Sequence, residues 1–98
     1  MKSYIVGRMK IQSQEWMQEY FSKVPSLIEE HGGHFLVRGG NPGLLEGEEA
    51  LPDATFILEF PSRTHANNFW ESEAFQPLIK LRQSGSSLEA MVVDGVGE

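Results

Sequence analysis

An antiparallel four-stranded sheet with its helices gathered on one face is the α+β architecture this chain predicts. Three observations carry it. Segments whose residues alternate in apolar character every second position stand at both ends and in the middle of the chain. Between them lie segments whose apolar residues recur at three- and four-residue steps. The resulting order is β-α-β-β-α-β, and the 98 residues suit a single domain spanning 1–98.

Tyr4 to Ile11 reads as the first strand, with Ile5, Gly7, Met9 and Ile11 on one face and Tyr4, Val6, Arg8 and Lys10 on the other. Ser13 is the expected cap of a helix whose first turn carries Glu15, favourable at the positive helix end. Trp16, Met17, Tyr20, Phe21, Val24, Leu27 and Ile28 form one broad apolar face. Pro25 is expected to kink or restart this helix, because proline lacks the N–H and clashes with the preceding turn. His31 and Gly32 then form a stop signal. His34 to Arg38 is the second strand, and Gly39 to Pro52 a loop with turn chemistry at Asn41-Pro42-Gly43 and Gly47. Thr55 to Phe60 is the third strand. Ser62 should cap a second helical region with Ala66, Phe69 and Trp70 inward, and Ser72 offers a fresh cap before Phe75, Leu78, Ile79 and Leu81. Gly85 ends it, Leu88 to Asp94 is the last strand, and a fraying tail begins at Gly95.

Right-handed crossovers fold this order into a ferredoxin-like βαββαβ plait with both helical regions on one face. The chain cannot cover the other face by itself. Alternation leaves apolar residues on both sides, with Phe35 and Val37 against Leu36, and Phe56, Leu58 and Phe60 against Ile57. A homodimer through the open sheet face is the expected solution.

Composition narrows the function classes. Lys and Arg number 8 against 14 Asp and Glu, a net charge of −6. A nucleic-acid partner is not expected, since phosphate binding needs a basic face and no basic run occurs. No apolar stretch is long enough for a membrane span or a signal peptide, so a cytoplasmic protein is expected. There is no cysteine, hence no disulfide, thiol nucleophile or thiolate metal site.

GGHFLVRGG at 32–40, LEG at 45–47, ILEFPS at 57–62, Ala66, Phe69-Trp70, Ser72, Phe75-Gln76-Pro77-Leu78 and Arg82 together resemble an uncharacterised bacterial family of about this length, known only as a domain of unknown function. That family is similar to the dimeric α+β-barrel proteins, in which two ferredoxin-like sheets pair into one barrel. The resemblance covers nearly the whole chain. It implies the fold, dimerisation and a small cleft between helices and sheet. It implies no reaction, since relatives include cofactor-independent oxygenases, lactone isomerases, haem-dependent enzymes and stress-response subunits. His34 stands where members often carry arginine, and Phe75 where tyrosine is common.

Arg38 is the leading candidate for a site. It ends an apolar strand just before two glycines, where a guanidinium can receive a carboxylate bidentately. The structural alternative is an ion pair with Glu46 or Glu59. His34 and His31 are candidate general bases by residue type, but the structural reading is a rim residue for His34 and a favourable charge at the helix end for His31. His31, His34 and His65 match no metal-ligand spacing, so neither metal nor cofactor is expected. Trp16, Tyr20, Phe69 and Trp70 are candidates to line an aromatic pocket, but at helical spacing they read as core, with the Trp70 indole N–H turned to a cleft. Arg82 either closes over an anion or caps helix carbonyls. Arg8 and Lys10 should find Glu59, Glu89 or Asp94. The glycine pairs match neither nucleotide-loop pattern and read as punctuation.

The functional expectation is a homodimer binding a small organic, anionic molecule in a cleft lined by Arg38, His34, Trp70, Arg82 and Glu46. An enzyme working without a cofactor is one form of it. A non-catalytic interaction or stress-associated module is the alternative, and a haem- or metal-dependent enzyme a weaker one.

Overall fold

Alternation along β1 (Ser3–Ile11) buries Ser3, Ile5, Gly7 and Met9 while Arg8 and Lys10 stay exposed. The strand has one face for a core and one for something else. The structure, a computed structural model, describes residues 1–97. β1 pairs antiparallel with β3 (Ala54–Phe60) on one side and with β4 (Ser86–Asp94) on the other. β2 (His34–Gly39) adds to the outer edge of β3, giving the order β2-β3-β1-β4 of a ferredoxin-like plait.

α1 (Met17–Glu30), α2 (Arg63–Glu71) and α3 (Gln76–Gln83) contribute the apolar faces that cover one side of the sheet. The core joins Ile5, Met9, Leu58 and Phe60 of the sheet to Trp16, Tyr20, Val24, Ile28, Phe69 and Phe75. Phe69 stacks on Phe75 with centroids 4.4 Å apart and on Phe60 at 5.6 Å. Such pairs add about 0.5–1.5 kcal/mol each beyond area burial. Gly7 makes room for this packing, because a Cβ there would collide with the Phe56 ring.

Several local expectations change. Ser13 does not cap α1: Trp16 occupies the N-cap position, and the Ser13 N–H and carbonyl bond Gly85 O and Trp16 Nε1 instead. α1 runs uninterrupted through Pro25. Its end is a Schellman turn, with Gly32 at φ +84° and the Gly33 N–H donating to Ile28 O at 3.0 Å. Ser62 does cap α2, accepting from the His65 N–H. Ser72 closes α2 rather than opening α3, donating its hydroxyl to Phe69 O. Arg8 and Lys10 donate to the carbonyls of Ala50 and Leu51, tying the 40–53 loop to the sheet, and pair with none of the three expected carboxylates. Among the described residues, no helix is long and apolar enough to cross a membrane.

Candidate functional site

One strand irregularity positions the residue of most interest. Phe35 pairs with Leu58 and Val37 with Ile57, so Leu36 is an extra residue and β2 carries a bulge. Strict alternation puts Arg38 on the opposite face from Phe35. The bulge instead pairs Arg38 with Phe56, a ring on the helical side. The Arg38 guanidinium lies 5.4 Å from the Phe35 ring centroid and 5.9 Å from that of Phe21 on α1. Contacts of this kind hold a cation over aromatic faces.

Beside Arg38 opens a cavity of about 490 Å³ between α1 and the sheet. Trp16, Tyr20, Phe21 and Val24 line its helical wall, Met9, Phe35, Phe56 and Leu58 its sheet wall, with Phe69 and Phe75 beyond. Of the described residues lining it only Arg38 is charged, and it is the exposed one, so its guanidinium stands at the rim. An apolar enclosure with few polar groups is the usual form of a small-molecule site.

The ion pair expected between Arg38 and Glu46 or Glu59 is not formed. Glu46 is exposed in the 40–53 loop, and among the described residues Arg38 has no carboxylate within ion-pair distance. Glu59 is engaged elsewhere, on the open face. It accepts from Tyr4 Oη at 2.9 Å and lies 3.2 Å from His34 Nε2 and 3.7 Å from Lys2 Nζ. His34 therefore does have an acid neighbour, one that the 25-residue separation hides and the His34–Glu59 register creates. The register also sets His34 on the sheet face away from the cavity.

Trp70 lines a separate cleft of about 200 Å³ with Ala66, Asn67 and Val92. Arg82 is 3% exposed, and its guanidinium sits 5.6 Å from the Trp70 ring and 5.8 Å from that of Tyr20. It donates to the Tyr20 hydroxyl at 2.9 Å, while its Nε has no hydrogen-bond partner among the described residues. Burial pushes the Tyr20 phenol above its ordinary 10.0, and the Arg82 charge and hydrogen bond pull the other way. The five candidates are thus dispersed: Arg38 at the cavity rim, Arg82 with Trp70 behind Tyr20, His34 on the open face, Glu46 in the loop. Sequence reasoning weighed Tyr20, with Trp16 and Phe69, as pocket lining but favoured the core, and took Phe21 and Phe35 as core or strand residues. The one available signal was the phenol, since a Tyr on an apolar face needs a polar partner.

Solved structures share this architecture. A protein of unknown function from Rhodopseudomonas palustris superposes with a TM-score of 0.78 at 15% identity, covering 99% of this chain and 84% of that one. SnoaB, a cofactor-independent oxygenase from Streptomyces nogalater, gives 0.64 at 12%, with 99% and 95% covered. A dimeric protein of unknown function and ferredoxin-like fold from Bacteroides fragilis gives 0.55 at 10%, with 96% of each chain covered. At such identities the likeness shows the fold alone, and it defines the class: a ferredoxin-like α+β protein with a cavity under its helices. No curated protein sequence matches the chain. A family model described as a domain of unknown function, DUF1330, matches residues 2–96, and the chain belongs to that family.

Proposed function

We propose that the protein binds a small organic anion in the cavity between α1 and the sheet, with Arg38 receiving the acidic group, and that it works as a homodimer through the open sheet face. One observation carries the ligand reading: a guanidinium with no carboxylate partner among the described residues is held over two rings at the rim of an apolar cavity whose described lining is otherwise uncharged. A carboxylate entering there gains a charge-assisted, bidentate contact while its body replaces water in the cavity. The dimer reading is supported by apolar side chains on the open face, Val37, Met91 and Val93 among them. A cofactor-independent reaction, as in SnoaB, is compatible with the same cavity. The lining carries no carboxylate or imidazole among the described residues, so such a reaction draws on the Arg38 charge, the Tyr20 hydroxyl and the acidity of the ligand itself.

The test is a calorimetric titration with a panel of aromatic and aliphatic carboxylates against the wild type and Arg38→Gln. Arg38 is exposed and makes no ion pair among the described residues, so the variant should lie within about 0.5 kcal/mol of the wild type in stability. It should lose at least tenfold in affinity for every acid that binds, the equivalent of about 1.4 kcal/mol. Equal binding by the two proteins refutes the reading.

A further inference from the structure

The Tyr20–Arg82 pair has no structural need that explains its form. Arg82 is buried, carries no carboxylate partner among the described residues, and leaves Nε unbonded. A guanidinium in that setting is costly, and packing against the Tyr20 and Trp70 faces offsets only part of the cost. A methionine or leucine would fill the same volume without it. What the guanidinium does achieve is specific. Its NH1 donates to the Tyr20 oxygen, and the phenol proton then has no acceptor among the described residues. Tyr20 also lines the cavity whose rim holds Arg38, and Phe21 neighbours both, its ring 5.2 Å from that of Tyr20 and 5.9 Å from the Arg38 guanidinium.

We infer that the cavity has two poles and takes a two-ended ligand: a carboxylate with a ring-sized apolar body and, at the far end, a second oxygen that only accepts hydrogen bonds, such as a carbonyl. The carboxylate meets Arg38. The second oxygen accepts the Tyr20 proton, and Arg82 holds the phenol oxygen so that this proton faces the ligand. Tyr20 is the ligand contact, and Arg82 is a positioning residue acting through it. Arg82 also polarises the O–H, which strengthens the bond it donates. The inference rests on the reading that Arg38 takes the acid.

The probes are para-acetylbenzoate and its two-ring biphenyl homologue, each compared with the isostere in which isopropenyl replaces acetyl. Each pair differs in C=O against C=CH₂ and in little else. Calorimetric titration of the wild type should show the acetyl member of the better-fitting pair binding about tenfold tighter, the size of a hydrogen bond to a polarised donor. Tyr20→Phe should bring the two members to equal affinity while both still bind. Because that variant strands Arg82, the double variant Tyr20→Phe with Arg82→Met removes donor and charge together and should show the same loss of preference at retained stability. Arg82→Met alone keeps the phenol and should retain a reduced preference, which a purely space-filling Arg82 would not alter. Equal affinities in the wild type overturn the second pole and leave the acid reading standing. A preference that survives Tyr20→Phe overturns it as well. Failure of all four probes to bind the wild type overturns both.

Discussion

A phenol and a guanidinium buried side by side couple the stability of this protein to alkaline pH. The Tyr20 phenol is harder to ionise in the folded chain than in the unfolded one, because burial outweighs the help from Arg82. Its folded value is raised above 10.0, so its contribution to stability is complete below that pH and is lost as pH rises beyond it. Chemical denaturation at a series of alkaline pH values should therefore show the wild type losing stability more steeply than Tyr20→Phe. Every other group is common to the two proteins and cancels in the comparison. Parallel profiles would contradict the argument. At this scale the sequence told part of the story. Arg38 was identifiable as a cation ending an apolar strand, but its freedom from Glu46 depends on where a long loop lies. The bond between Tyr20 and Arg82 spans 62 residues and depends on α1 meeting α3, which no local spacing records. The same holds for His34 and Glu59, joined only by the pairing of β2 with β3.

Elements were readable wherever one periodicity persisted, and misread where local chemistry competed with packing. The strands and both helical regions follow from alternation and from three- and four-residue steps, and the Gly32 stop and Ser62 cap follow from residue type. The bulge in β2 was not readable, because an extra residue inside a short apolar run leaves no mark on composition, yet it decides which face Arg38 takes. Ser13 was misjudged because the Gly85 carbonyl and the Trp16 indole claim its backbone and hold the first turn back. At Pro25 the expected restart does not occur. The packing of Val24, Leu27 and Ile28 against the sheet carries α1 through the proline, at the cost of one backbone hydrogen bond to the Phe21 carbonyl. Pro25→Ala restores that donor and relieves the clash, offset by greater freedom of the unfolded chain. A net gain of about 1–2 kcal/mol is expected from urea denaturation, with unchanged affinity for any acid bound at Arg38. A loss of stability would show that the proline ring itself packs better than a methyl group.

At the scale of the molecule the chain is a slab, 33 × 33 × 16 Å, with helices on one broad side and, on the other, sheet bordered by the 40–53 loop, whose Pro42 and Leu51 line a cleft with Val6 and Met91. The strand registers align Val37, Ile57, Val6 and Met91 as one apolar row crossing all four strands. The neighbouring row carries the polar group of His34, Glu59 and Tyr4 and ends at Val93. Four strands about 4.8 Å apart and six to nine residues long at about 3.4 Å each make a face of roughly 19 by 20 to 30 Å. With side-chain relief and the 40–53 loop beside it, that approaches the roughly 800 Å² per partner of a stable interface. A row crossing the strands can meet its own copy about a two-fold axis, apolar on apolar, with Glu59 in the row on one side of it and Arg8 and Glu89 in the row on the other. Light scattering at micromolar concentration should accordingly give twice the chain mass for the wild type. Met91→Glu places a charge in the row at a side chain 60% exposed in the single chain, where it disturbs no core. It should give the single-chain mass with thermal stability lowered only by the loss of the partner. Gln18→Glu, exposed on α1 on the opposite side of the molecule, is the control and should remain dimeric. A wild type of single-chain mass refutes the pairing outright. A dimer indifferent to Met91→Glu moves the interface off the sheet, and the open apolar row would then need a different partner.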